Sequence, residues 1–315
     1  MKTQLRLLNY LIGSRGPRVD IRQFVNWDKT IFIDNLFYVQ PTTIWEVKRV
    51  IKAASMAGIH VRATGGGYTR SPLYPDEGQI SMDVRNLERH DGPRMELQKP
   101  TAVRPYYTVT VVTGVLEYEL NAFLVKNGLS MLTQPLIVNA TIGGMLATST
   151  HGSSWNAPNW SGFLVEMRIV NARGRLLRFN IESHPELMKA LSCNLGMMGV
   201  MYDITNQVNC TLIAKVQNRF VPLQDLFYNQ SNLKDVVTTH FLTEISWYPF
   251  NSVTPEEEAV FRYNQTVLDS WTVKRETVWL RTIVLVDKVP ADHVIQGPVY
   301  LPTRGSISGG NETEY

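Results

Sequence analysis

The chain has 315 residues, a net charge of +3, 44% hydrophobic and 19% charged residues, which suits a folded protein with a sizeable core and about two domains. So small a charge, on scattered lysines and arginines, gives no reason to expect a nucleic-acid or membrane-surface partner. The two cysteines, Cys193 and Cys210, form no CxxC pair and so no zinc site, and they read as small hydrophobes packed inside.

Residues 1–12 carry basic side chains and only a broken apolar stretch, a weak match to a signal peptide. No segment approaches the run of roughly 20 apolar residues that crosses a bilayer. Peripheral membrane association stays open, as does a compartment between cytoplasm and endomembrane. Residues 1–24 read as an N-terminal extension.

From Pro41 the elements are clearer. Thr43 and Glu46 have capping-box spacing, Ile44, Val47, Ile51 and Ala54 share a helical face, and Gly58 supplies the stop. Ile59, Val61 and Ala63 alternate with His60 and Arg62 as a strand, His60 on its solvent side, which runs into Gly65-Gly66-Gly67. Residues 107–113 read as a strand, and Leu116, Leu120, Phe123 and Leu124 as a helix ended by Gly128. Residues 163–170 and 175–179 form a hairpin about Asn171–Gly174. Ser183, Pro185 and Glu186 open a capped helix, and a strand runs from Val200 to Val208. Near residue 215 the texture changes. Residues 245–248 and 278–283 look like strands of a second domain, and from Pro290 onward periodicity is lost, as in an unpacked tail.

Three glycine-rich segments carry the chemistry: Gly65 to Ser71, Thr141 to Gly152, and Leu195 to Val200. None is a P-loop, and none is a GxGxxG opening a dinucleotide-binding helix. Consecutive glycines after a strand expose backbone N–H groups that suit a phosphate, and the hydroxyls of Thr148, Ser149 and Thr150 suit pyrophosphate oxygens. Each segment alone is also an ordinary turn. The scattered histidines make no metal constellation.

In combination and order, these segments resemble the PCMH-type FAD-binding domain of the vanillyl-alcohol oxidase family, and within it the branch of sugar-1,4-lactone and alditol oxidases. The resemblance covers roughly residues 25 to 250. It implies an α+β fold: a two-part FAD-binding domain over residues 25–215, an incomplete α+β cap domain for substrate over 216–290, and a disordered tail over 291–315. It also implies that Ala63, Thr64, Gly65, Gly66, Gly67, Tyr68, Thr69 and Ser71, with Thr141, Gly144, Thr148, Ser149, Thr150, His151 and Gly152, wrap the FAD, while Val200 lies beside the adenine. Many members bear a flavin-linked histidine after the glycine run. Here that residue is Tyr68, which implies non-covalent FAD with Tyr68 as an aromatic wall; a surface tyrosine after a turn is the plainer alternative. His151 becomes a structural, flavin-proximal residue rather than a base. Pro135 falls where the family guards the flavin from dioxygen, and proline there accompanies oxidases, although it also serves as a loop restraint.

The activity implied is hydride transfer from a substrate carbinol carbon to flavin N5, with dioxygen as acceptor giving hydrogen peroxide. A gulono- or arabinono-lactone would give an ascorbate-type product; a polyol is the other substrate class. Trp247, Tyr248 and Arg281 are the candidate substrate contacts by type, with strand packing and a solvated arginine as the plainer reading. The lactone oxidases carry a C-terminal His-Trp-x-Lys motif that is missing here. A truncated or degenerate FAD-binding protein without catalytic activity is therefore the alternative expectation.

Overall fold

A computed structural model describes residues 1–135, 137–157, 159–228, 230–247, 277–288 and 313–314, with backbone alone at 230, 277, 313 and 314. In chain order the first elements are α1 (Lys2–Ile12), β1 (Asp20–Val25), β2 (Phe32–Val39), α2 (Ile44–Ala57), β3 (Val61–Thr64) and β4 (Ile80–Asp83). The helix α2 forms as the sequence predicts. The Thr43 side chain accepts from the Glu46 N–H, Glu46 reaches back to the Thr43 N–H, and Gly58 ends the helix at φ 66°. Its apolar face, with Ile44, Val47, Val50 and Ile51, is buried. Leu8 and Ile12 of α1 are buried as well, and Arg49 of α2 donates to the Ile12 carbonyl.

The first sheet has the order β1-β2-β4-β3, antiparallel between β1 and β2 and parallel on either side of β4. Every residue of β4 is buried, as expected of the strand paired on both sides. Next come β5 (Met95–Gln98), β6 (Tyr107–Val112), α3 (Glu117–Lys126), β7 (Leu129–Ser130), α4 (Ile142–Ala147), β8 (Leu164–Val170), β9 (Leu176–Asn180), α5 (Pro185–Leu191) and β10 (Val200–Cys210). They include a second, antiparallel sheet of order β5-β6-β10-β8-β9, with β7 also paired to β10. The expected hairpin is β8 and β9, turning at Gly174 with φ 69°. One continuous core joins the two sheets and their helices, with Phe37, Val109, Leu124, Trp160 and Tyr202 among its members.

Three expectations need correction. The α5 helix starts at Pro185 with His184 as N-cap and no side-chain cap bond, because the Ser183 hydroxyl engages Asn180 and His184 instead. Cys193 and Cys210 are exposed rather than packed inside, at a turn and at the end of β10. The segment after Thr141, read as a glycine loop, is the helix α4. The Thr141 hydroxyl accepts from the Gly144 N–H and caps it. Its glycines serve close packing: a Cβ on Gly143 would lie 2.8 Å from the Thr113 Cβ.

Contacts divide the chain into two units, Met1–His151 with Pro158–Thr211, and Gly152–Ala157 with Leu212–Tyr315. The second contains β11 (Ile213–Pro222), α6 (Leu223–Phe227), α7 (Gln230–Thr239), β12 (Leu242–Trp247), β13 (Thr277–Val286) and β14 (Thr313–Glu314), with the sheet order β12-β13-β11-β14. Residues 245–247 and 278–283 are thus in strands. Tyr248 and all of the expected tail but 313–314 lie outside the described residues. No helix among the described residues is long and apolar enough to cross a membrane.

Candidate functional site

The site is built where β3 ends. Thr64 is buried, its hydroxyl bonded to that of Ser81 on β4 at 2.9 Å. The chain then leaves the sheet as Gly65-Gly66-Gly67. Among the described residues, no protein acceptor takes the backbone N–H of Gly65, Gly66, Gly67, Tyr68 or Thr69. Five successive unpaired donors need a ligand or water. A Cβ on Gly65 would sit 2.1 Å from the Thr141 Oγ1, and one on Gly66 would sit 2.6 Å from the Asn139 carbonyl oxygen. Only glycine lets this loop lie so close to the segment that opens α4.

These residues line a cavity of about 490 Å³. Of the residues expected from sequence, Ala63 to Thr69, Pro135, Thr141, Gly144 and Thr148 to His151 all border it. Ser71 is exposed and outside this lining. Gly152 falls in the second unit. Val200 borders a second cavity, of about 510 Å³, which shares Ala63 and Gly196 with the first. Residues of β3 and of the Leu195–Gly199 turn thus contribute to the walls of both spaces. Volumes of this size fall in the range of cofactor clefts.

Among the described residues, both linings are free of Asp and Glu. The first contains a cation that sequence reasoning left as a plain strand residue. Arg62 donates to the Leu195 carbonyl at 2.9 Å, and among the described residues no carboxylate pairs with it. The alternation of β3 hid it, because a strand residue between apolar neighbours reads as solvent-facing. Tyr74 was missed as well; its hydroxyl donates to the Thr69 carbonyl, and burial pushes its pKa up to about 12. At the C-terminal end of α4 the Thr148 hydroxyl donates to the Gly144 carbonyl, so it offers the cavity only lone pairs. The Ser149 hydroxyl, held at φ 53°, accepts from Asn159 and keeps its own proton.

A third, smaller cavity of about 230 Å³ lies over the second sheet, with Arg89, Arg168 and Arg178 in its wall. Those three arginines are already engaged by Asp91, Glu96, Asp203 and Glu166. Its wall also holds Arg104, which no carboxylate pairs among the described residues, but unlike the first cavity it carries Asp91 and Glu166, which oppose an anion.

Residues 36–180 match the model of a family described as an FAD binding domain. The chain carries an FAD-binding domain. FAD is its cofactor, and the groups around the cavity suit one: amide donors and an unpaired cation for a diphosphate, with no carboxylate to repel it. The FAD-binding domain has relatives in yeasts and mammals. The D-arabinono-1,4-lactone oxidase of Saccharomyces cerevisiae is 28% identical over 228 residues, 72% of this chain and 41% of that protein. The same enzyme of Eremothecium gossypii is 28% identical over 227 residues, again 72% and 41%. The L-gulonolactone oxidase of Mus musculus is 27% identical over 186 residues, 59% of this chain and 40% of that protein. The chain thus spans about two fifths of the length of these relatives. Among solved structures, a cholesterol oxidase variant from Brevibacterium sterolicum superposes with a TM-score of 0.70 at 20% identity, over 87% of this chain and 49% of that one. That likeness establishes the mixed helix-and-sheet fold expected from sequence.

In the second unit, Trp247 is 48% exposed at the end of β12. Arg281, by contrast, is buried, with its guanidinium 3.7 Å from Glu244 directly across the β12–β13 ladder. Burial raises the pKa of Glu244, and Arg281 offsets part of that rise.

Proposed function

We propose that the protein is an FAD-dependent oxidoreductase of CH–OH groups, with a sugar-1,4-lactone of the gulono or arabinono type as substrate and dioxygen as acceptor. The observation that carries the cofactor half of this reading is the row of unpaired amides from Gly65 to Thr69 beside Arg62, in a cavity without carboxylates. The substrate half rests on the names of the three relatives given above, which are lactone oxidases.

Bound FAD would supply the two-electron acceptor for oxidation of the carbinol carbon. The chain's own part is to hold and orient. The amides of residues 65–69 and the Arg62 guanidinium hold the diphosphate charge, and the second cavity, with Val200 in its wall, takes the adenosine end. The Tyr68 ring forms a wall against the flavin without bonding to it, and Pro135 borders the approach of dioxygen. Trp247 and Arg281 are the proposed substrate contacts. An arginine already balanced by Glu244 suits neutral hydroxyl groups better than an anion.

The test is the visible spectrum of purified protein before and after acid precipitation, followed by anaerobic addition of gulono- and arabinono-lactones. Flavin bands that pass into the supernatant and bleach with lactone are expected. A protein that stays colourless after incubation with FAD would overturn the reading, and bands kept in the pellet would overturn its non-covalent part.

A further inference from the structure

The match to the FAD binding domain begins at residue 36, yet the turn between β1 and β2 reaches the glycine loop. The Trp27 N–H donates to the Gly67 carbonyl at 3.1 Å, and the Trp27 Nε1–H donates to the Tyr68 carbonyl at 2.9 Å. Asn26 Nδ2 donates to the Thr69 carbonyl at 3.3 Å. Three consecutive carbonyls are therefore tied to this one turn. In a trans peptide the C=O and the following N–H point in opposite directions. Drawing the carbonyls of Gly67, Tyr68 and Thr69 towards the turn aims the amides of Tyr68, Thr69 and Arg70 away from it.

The indole also meets the ring of Tyr68, with centroids 6.1 Å apart and planes at 28°, an offset stack. Behind it the turn is braced from within. Asn26 accepts from the Ile31 N–H and donates to the Thr30 hydroxyl. Arg70 lies over the indole at 5.3 Å and bridges to Asp28 at 2.9 Å. Trp27 is absent from the cavity lining, whereas Tyr68 is part of it.

We infer that Trp27 is a positioning residue for the flavin cofactor: it fixes two peptide planes of the amide cradle and the ring of Tyr68, from outside the span that defines the domain family. This rests on the function proposed above. Trp27 is 47% exposed, so shortening it leaves the core intact.

The test compares FAD affinity, the induced circular dichroism of bound flavin and apoprotein melting in the wild type, Trp27→Phe and Trp27→Ala. Losing an exposed hydrogen bond and a ring stack should weaken FAD about tenfold in Trp27→Ala. Its flavin dichroism should change while the apoprotein melts as before. Trp27→Phe keeps the stack and loses the Nε1 donor, so it should recover most of the dichroism and lose about threefold in affinity. Wild-type affinity and dichroism in Trp27→Ala would overturn the inference and leave the proposed function standing. If Trp27→Ala melts early, Trp27→Phe decides, and unchanged affinity there overturns it. A wild type that takes up no FAD would sink the proposed function and this inference together.

Discussion

Two glycine-bearing segments face each other at the cavity, and they use their glycines in opposite ways. In Gly65–Gly67 the missing side chains leave room for the loop, and the amides stay unspent. In α4 the amides of Gly143 and Gly144 are already committed, to the Thr113 carbonyl at 2.8 Å and to the Thr141 hydroxyl at 3.3 Å. There Gly143 serves helix packing against Thr113 at the end of β6. Similar composition in sequence therefore yields a row of open amide donors, the proposed cradle, on one side and a packed wall on the other. What separates them is whether anything in the protein accepts the N–H groups.

Substitution should pull the two segments apart. The largest effect is expected for Gly65→Ala, whose Cβ would press on Thr141 at 2.1 Å. It should cost about 3 kcal/mol in urea unfolding, from overpacking plus loss of the α4 cap, and weaken FAD more than about a hundredfold, read by fluorescence titration. Retained affinity would mean that the loop does not cradle the cofactor.

The next effect sits on the packed wall. Glu117, at the start of α3, donates its N–H to the Ala140 carbonyl just ahead of Thr141. Its side chain is buried, with an Oε2 that finds no hydrogen-bond partner among the described residues. Burial holds its pKa up at about 7 from an ordinary 4.5. The folded state thus keeps a proton that the unfolded chain releases. Its contribution is complete below about pH 4.5 and is lost as the pH rises through about 7. Glu117→Gln should therefore flatten the pH dependence of urea unfolding across that window and gain about 2 kcal/mol at pH 8. A profile parallel to wild type would show that this carboxyl is solvated.

The smallest effect is expected for Gly143→Ala. It should cost about 1–2 kcal/mol against Thr113 in thermal or urea unfolding, with FAD affinity within about twofold of wild type once unfolded protein is excluded. Equal losses of affinity at Gly65 and Gly143 would erase the distinction between cradle and wall.

Much of this arrangement was legible in the chain because its signals are local. The capping box of Thr43 and Glu46, the Gly58 stop, the turn at Gly174 and the position of the first glycine run after a strand all involve near neighbours. What escaped depends on distant partners. The helix α4 was hidden because two glycines outweigh its propensity, and the compensation comes from the Thr141 cap and close approach to Thr113. Arg62 escaped because alternation in a strand describes the sheet face and not the loop at 195 that receives its guanidinium. Trp27 escaped because nothing nearby in the chain marks a tryptophan as the partner of carbonyls beyond β2 and α2. The exposure of both cysteines likewise follows from where a turn and a strand end happen to fall.

The contact between Gly65 and Thr141 has a hereditary consequence. One oxygen both caps the start of a helix and occupies the space that any larger residue at 65 would claim. The two positions therefore draw on a single allotment of volume, and a change at either is a change at both. Substitutions at the two positions are therefore expected to be coupled, although they lie in two motifs far apart in the chain. A glycine loop grafted into another scaffold would arrive with half of its specification unless the threonine and its helix travelled with it.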